Sequence, residues 1–286
     1  MNPQRNVMIT GASSGIGAAC ALRLDGMGYA VFAGVRKSAD GDRLAAQAST
    51  QLTPVIIDVT DAESVVSAAR TFGEHLGDAG LDGLVNNAGI AVAGPLEVLP
   101  LESFRRQLEV NVIGQLAVTQ AFAPLLRKVR GRIVNMSSIS GKVTLPMLGP
   151  YATSKFALEA MSDALRMELC GSGVSVTLIE PGTVITPIWD RSTSQANEMI
   201  DALPEAHRER YRPLIVAMED AAAKAQKKAV SADDVARVVV KALTARRPKT
   251  RYLVGTDARL MAHLLRRLPD RWRDLLILRW LGLRGA

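Results

Sequence analysis

Aromatic residues are scarce in this chain, 4% of 286 residues, and cysteine is scarcer still. Few aromatics leave little from which to build the stacking platforms that single-stranded nucleic acid needs. The two cysteines, Cys20 and Cys170, sit far apart in helical patterns. They exclude a disulfide framework and suit a reducing compartment. The three histidines, His75, His207 and His263, are scattered without ligand spacing, so no metal site is expected. No apolar run reaches the roughly 20 residues a membrane-spanning helix requires. The opening M-N-P-Q-R-N lacks the apolar core of a signal peptide and leads directly into a strand pattern. A cytoplasmic location is therefore expected. Neither a low-complexity tract nor an internal repeat is present.

With 48% apolar residues over 286, the chain can bury one large core. The simplest organisation is a single domain over 1–286. Its charge is uneven. The total is +7, yet from Arg246 onward eleven Lys/Arg stand against three Asp, which leaves the remainder near neutral. Those arginines alternate with leucines and tryptophans at helical spacing. That pattern describes an amphipathic tail, not the basic groove of a nucleic-acid binder.

Strand and helix patterns alternate along the chain, which predicts an α/β fold, a doubly wound Rossmann-type parallel sheet with helices on both faces. Strands are predicted over 6–10, 31–35, 54–58, 81–86, 131–136, 174–179 and 251–254. One long helix is predicted over 101–127, another from Tyr151 to about 169, and a late one opening at Ser231-Ala-Asp-Asp234. Thr60-Asp-Ala-Glu63 resembles a capping box, followed by an apolar stripe of Val65, Val66, Ala69, Phe72 and Leu76. The segment 184–230 has helical stretches over 197–203 and 210–227 but no strand. An insertion there falls at the carboxyl ends of the strands, where ligands bind in open α/β sheets, and predicts a helical substrate lid.

Two short motifs carry chemistry. The first strand runs into Gly11-Ala-Ser-Ser-Gly15-Ile-Gly17 and then a helix. Glycines in that context let backbone N–H groups and a helix N-terminus approach a pyrophosphate, although an ordinary tight turn uses them too. In Y-A-T-S-K, Tyr151 and Lys155 lie one helical turn apart on the same face. A phenol has a reference pKa of about 10. A neighbouring ammonium lowers it and makes the pair a general acid/base for an alcohol or ketone.

These motifs form part of an ordered series: T-G-A-S-S-G-I-G at 10–17, D-V-T at 58–60, N-N-A-G at 86–89, N-V at 111–112, S-S at 137–138, Y-A-T-S-K at 151–155 and P-G at 181–182. In these residues, over about 5–186, the chain resembles the short-chain dehydrogenase/reductase family. V-F-A-G-V-R at 31–36, P-Y-A-T-S-K-F-A-L-E-A at 150–160 and the extended C-terminal third resemble its retinol, 17β-hydroxysteroid and 3-hydroxybutyrate dehydrogenase group. The resemblance implies a catalytic set of Asn111, Ser138, Tyr151 and Lys155. Tyr151 would move the proton, Ser138 would hold the reacting oxygen, Lys155 would serve Tyr151 and the nicotinamide ribose, and Asn111 would order a water behind Lys155. It also implies cofactor contacts. Gly11, Ser13, Ser14, Gly15, Ile16 and Gly17 would form the phosphate turn. Asp58 and Val59 would meet the adenine, and Asn87, Ala88 and Gly89 would line the adenosine side. Pro181, Gly182, Val184 and Thr186 would meet the nicotinamide end.

An acid at the end of the second strand selects NAD by binding the ribose 2′-hydroxyl. Here the strand ends Gly34-Val35-Arg36-Lys37, and Arg36 suits a 2′-phosphate. NADP is therefore the expected cofactor, with NAD the alternative. Ser14 departs from relatives that carry a basic residue there, and Arg36 can also be read as a solvated surface arginine. Val143, Leu145, Met147, Leu148, Ile185, Ile188, Trp189, Met199 and Leu203 suggest an apolar pocket for a lipid-, retinoid- or steroid-like secondary alcohol or ketone, with plain core packing the alternative for the same side chains. A homo-oligomer is expected.

Two alternatives are a nucleotide-sensing protein on the same fold, which would not need the Tyr/Lys pair, and a membrane-peripheral binding protein that works through the tail. In the tail, over 256–286, Leu260, Leu264, Leu265 and Leu268 form one stripe, and Trp272, Leu275, Leu276, Trp280 and Leu283 another. Arg266, Arg267, Arg271, Arg273, Arg279 and Arg284 surround them. Packing of the stripes on the domain or on a partner subunit is the expectation, and weak contact with an anionic membrane surface the alternative.

Overall fold

A computed structural model describes residues 4–77 and 79–283; Arg284 and the Arg266 side chain lie outside what it describes. Seven parallel strands form one sheet: β1 (Asn6–Ile9), β2 (Ala30–Val35), β3 (Leu52–Ile56), β4 (Gly83–Asn86), β5 (Arg132–Met136), β6 (Ser175–Pro181) and β7 (Arg251–Val254). Their order is β3-β2-β1-β4-β5-β6-β7. The chain winds outward from β1 to β3, then crosses back to β4. The crevice at the carboxyl ends of β1 and β4 is the point where the strand order reverses.

Alternate residues of each strand feed two cores. Val7, Ile9, Val31 and Ala33 pack with Cys20, Ala21 and Leu24 of α1 (Gly15–Asp25) and with Val235, Ala236 and Val239 of α9 (Ala232–Thr244). Met8, Phe32, Leu84 and Ile133 face the opposite side. They meet Val65 and Phe72 of α3 (Ala62–Leu76) and Val118 and Phe122 of α5 (Gly114–Val129). Burial on both faces is why these strands read as apolar runs instead of alternating ones. The remaining helices are α2 (Ser38–Ala45), α4 (Leu101–Leu108), α6 (Gly149–Glu168), α7 (Pro187–Asp201), α8 (Glu205–Gln226), α10 (Thr256–His263) and α11 (Asp270–Trp280).

Several elements depart from the sequence reading. The third strand starts two residues early and contains Pro54, which an edge strand tolerates because no outer neighbour needs its N–H. Asp61, not Thr60, caps α3, accepting from the N–H groups of Glu63 at 2.9 Å and Ser64 at 3.3 Å. The Thr60 hydroxyl is instead spent on Asp58 at 2.7 Å. Val66 points outward and Ala68 takes the inner position. The long helix over 101–127 is interrupted by a π-turn at Glu109–Ile113, which carries Asn111 inward. Ser231 and Asp234 form the expected capping box of α9.

Candidate active site

The cleft at the switch point has a volume of about 620 Å³. At its floor β1 passes into α1 through a turn in which Gly11 (φ 66°) and Gly15 (φ 57°) are left-handed. Ser14, the N-cap of α1, makes no side-chain capping bond, and the first turn holds no acid. The N–H groups of that turn therefore stay available to an anion. Gly17 lies beneath the turn, outside the lining of the cleft. A Cβ there would fall 2.2 Å from the Gly11 carbonyl oxygen and 2.5 Å from Asn87 Nδ2. Its role is to let the turn close. The Asn87 amide is likewise used inside the protein, donating to the carbonyls of Thr10 and Gly11, each at 3.1 Å.

Arg36, Asp58 and Val59 line the far end of the cleft. Burial opposes charge on Asp58. Hydrogen bonds from the Thr60 N–H and hydroxyl, with the charges of Arg36 and Arg106, outweigh it and hold the carboxyl below its usual range. Arg105 and Arg106 of α4 also line this end. Sequence reading missed them because α4 lies about fifty residues from Asp58, and nothing local marks a helix arginine as cleft-facing. Arg36 and the two α4 arginines share the cleft lining with Asp58, Glu102 and Glu109, and Arg105 lies 3.6 Å from Glu102. With the glycine turn, the residues present fit a phosphorylated dinucleotide.

Tyr151 and Lys155 project from α6 and are 7% and 4% exposed. Burial pushes the Tyr151 phenol up to about 12, and a hydrogen bond with Ser138 only partly offsets this. Burial pushes Lys155 down to about 8, opposed by the Glu159 carboxylate. Lys155 Nζ donates to the Met136 carbonyl at 2.7 Å and stands 5.6 Å from the centre of the Tyr151 ring. In this arrangement burial is the larger influence on the phenol, and the group that opposes it is Ser138. Ser138 lies near the start of the turn after β5, and its Oγ accepts from the Ser140 N–H at 3.1 Å.

Asn111 does not line the cleft. Its Oδ1 accepts from the Ile90 N–H at 2.9 Å, and its Nδ2 donates to Ile90 O at 3.0 Å and to Ser154 Oγ at 3.1 Å. The side chain thus ties α6 to the loop after β4. Ser13, Ser14, Ile16, Ala88, Gly89, Pro181, Gly182, Val184 and Thr186 all line the cleft. A Cβ on Gly15 would meet Thr186 Cγ2 at 3.2 Å, so the start of α7 closes against the phosphate turn.

Of the apolar residues expected around a substrate, Ile188 and Trp189 line the cleft. Trp189 meets Tyr151 edge-on, with ring centroids 5.5 Å apart. Val143 and Leu145 do not line it. They pack with Ala217, Met218 and Ala221 of α8 and with Ile277 and Leu281 of the tail. The tail stripes divide: Leu265 and Leu283 pack on the domain beside α8. Ile277 and Leu281 are the buried side chains, while Trp272, Leu275, Leu276 and Trp280 face outward.

Residues 5–197 match the family model described as short chain dehydrogenase. The chain is 38% identical over 285 residues to retinol dehydrogenase 16 of Mus musculus, covering 95% of this chain and 87% of that protein. It is 36% identical over 275 residues to an NADPH-dependent 3-dehydrocapnine reductase of Ornithobacterium rhinotracheale, covering 94% and 95%. A short chain dehydrogenase of Burkholderia cenocepacia, solved in complex with NADP, superposes with a TM-score of 0.73 at 26% identity, over 96% of both chains.

Proposed function

The chain belongs to the short chain dehydrogenase family of oxidoreductases, and on that premise we propose that it reduces apolar, lipid-, retinoid- or steroid-like ketones with NADPH, or oxidises the matching secondary alcohols. The observation that carries this reading is the convergence of Ser138, Tyr151 and Lys155 on one cleft with the glycine turn and Arg36. When bound, the nicotinamide supplies or accepts the hydride. Tyr151 donates its hydroxyl proton to the carbonyl oxygen during reduction and takes a proton from the alcohol during oxidation. Ser138 hydrogen-bonds the same oxygen and fixes its approach. The Lys155 ammonium stabilises the phenolate that reduction leaves behind, which offsets the burial that otherwise disfavours it.

Arg36, at the cleft's far end, supports a preference for the 2′-phosphate. The reductase relative that carries NADPH in its name and the NADP-bound neighbour agree with it. Ile188 and Trp189 beside Tyr151 support an apolar substrate, as do the retinol dehydrogenase relatives. NADPH oxidation assayed against a panel of apolar and polar ketones tests the reading, which requires the apolar members to turn over faster.

A second reading concerns the tail, favoured by the outward stripe on α11. Trp272 and Trp280 are 63% and 59% exposed. Among the described residues the exposed Arg271 and Arg279 form no ion pair. No helix among those residues is long and apolar enough to cross a membrane. A short helix with tryptophans and unpaired arginines outward suits the headgroup region of an anionic bilayer. Two copies stacked on the same stripe would bring like charges together.

A further inference from the structure

Behind the cleft, five ionisable side chains that the chemistry above does not use meet in one cluster. Lys142 follows the Ser138 turn, Glu159 and Asp163 lie on α6, Glu180 on β6 and Arg251 on β7. Glu159 is at its centre. Its Oε1 accepts from the Ser137 hydroxyl at 2.6 Å, and its Oε2 accepts from Lys142 Nζ and from Arg251 Nε at 3.0 Å. Glu180 Oε1 lies 3.3 Å from Lys142 and 3.2 Å from Arg251 but receives no well-directed hydrogen bond. The carboxylates of Glu159 and Glu180 are nearly sealed from solvent. Paired charges this deep add little net stability over an apolar core, so stability alone is a weak reason for the cluster.

Its location supplies a better reason. Ser137 directly precedes Ser138, Glu159 follows Lys155 by one helical turn, and Glu180 directly precedes the Pro181-Gly182 wall of the cleft. The turn over 137–142 lies flush on α6: a Cβ on Gly141 would come within 3.0 Å of Glu159 Cγ and 3.1 Å of the Lys155 carbonyl oxygen. We propose that Glu159 is a positioning residue that clamps the Ser138 turn onto the helix carrying Tyr151 and Lys155. One carboxylate grips both ends of the turn, at Ser137 and at Lys142, and sets where Ser138 stands relative to Tyr151. The same carboxylate favours the charged form of Lys155. Around it Lys142 and Arg251 pair with Glu159, Glu180 lies against both of those cations, and Asp163 pairs with Arg251 and Arg166; among the described residues none of these groups forms an ion pair with Lys155.

The proposal rests on Tyr151 and Ser138 acting on the reacting oxygen, so Tyr151→Phe is assayed in parallel. Full-length Ser137→Ala and Glu159→Gln are compared with the natural protein for ketone reduction at saturating NADPH. Ser137→Ala removes one hydrogen bond and leaves every ion pair. It is expected to lower kcat about tenfold, since small misplacements of reacting groups are costly, with the KM for NADPH unchanged within about twofold. Glu159→Gln is expected to lower kcat further and to move the alkaline limb of the reduction profile to lower pH, a shift that a loss of rigidity alone does not produce. Natural kcat in Ser137→Ala, with Tyr151→Phe inactive, overturns the clamp and leaves the site assignment standing. Retained turnover in Tyr151→Phe overturns both. If Glu159→Gln fails to fold, Ser137→Ala decides.

Discussion

Trp189 lies edge-on to Tyr151, ring centroids 5.5 Å apart and planes at 70°, so a residue from the helical segment after β6 touches the proposed proton donor directly. Their contact makes α7 a wall of the reaction chamber. It also accounts for part of the burial that raises the phenol's pKa.

Trp189→Ala is expected to open that wall. Bulky ketones should gain in kcat/KM relative to small ones by about tenfold, since a large aromatic contributes on the order of 1–3 kcal/mol of apolar contact in a pocket. Ratios of kcat/KM over a size series of ketones measure the effect. An unchanged ratio would mean that Trp189 is only packing.

Cofactor choice is expected to turn on Arg36 and not on its neighbour. Both residues border the cleft, but Val35 is 1% exposed and packs in the core, so an acid placed there would be largely buried, whereas Arg36 is exposed. Arg36→Ala should raise the KM for NADPH by about ten- to a hundredfold, the worth of a charge-assisted contact. Arg36→Asp should carry the preference over to NADH. Titration of both cofactors against the three proteins checks this, and a natural protein preferring NADH several-fold would refute the assignment.

The pH dependence follows from Lys155. Its ammonium is lost as pH rises through about 8. Reduction uses the charged form to stabilise the Tyr151 phenolate, so kcat for reduction should fall above about pH 8 while oxidation does not. The folded pKa is depressed, so between about 8 and the unfolded value near 10.4 the unfolded chain binds more protons. This group therefore adds stability as pH rises through that window. A reduction profile flat to pH 10 would exclude the role given to Lys155.

The parallel sheet was legible because each strand is an apolar run bounded by helical periodicity, and the glycine turn and Tyr151–Lys155 were legible because each is local in sequence. What escaped the sequence depends on distant partners. The π-turn at Asn111 exists because its side chain reaches Ile90 and Ser154. Arg106 reaches the cleft only once α4 is docked. The tail was legible in part: α11 is apolar on two sides, with Ile277 and Leu281 on one and the tryptophans on the other. Periodicity alone cannot say which side a helix buries.

The outward side of α11 gives a direct experiment. The protein should sediment with vesicles containing anionic phosphatidylglycerol at low salt, and not with phosphatidylcholine vesicles. Trp272→Ser/Trp280→Ser should abolish this, and Arg271→Gln should weaken it about fivefold, the worth of one basic residue near a charged surface. Ketone reduction in solution should be unaffected. Protein remaining in the supernatant at low salt would exclude membrane contact.

The most direct test of the whole account is turnover by Tyr151→Phe, which removes one oxygen and keeps the ring against Trp189. With an apolar ketone accepted by the natural protein, kcat should fall by about a hundredfold or more. NADPH binding, followed by its fluorescence, should remain within a few-fold. Turnover close to natural in that variant would contradict Tyr151 as the proton donor, and with it the proposed mechanism.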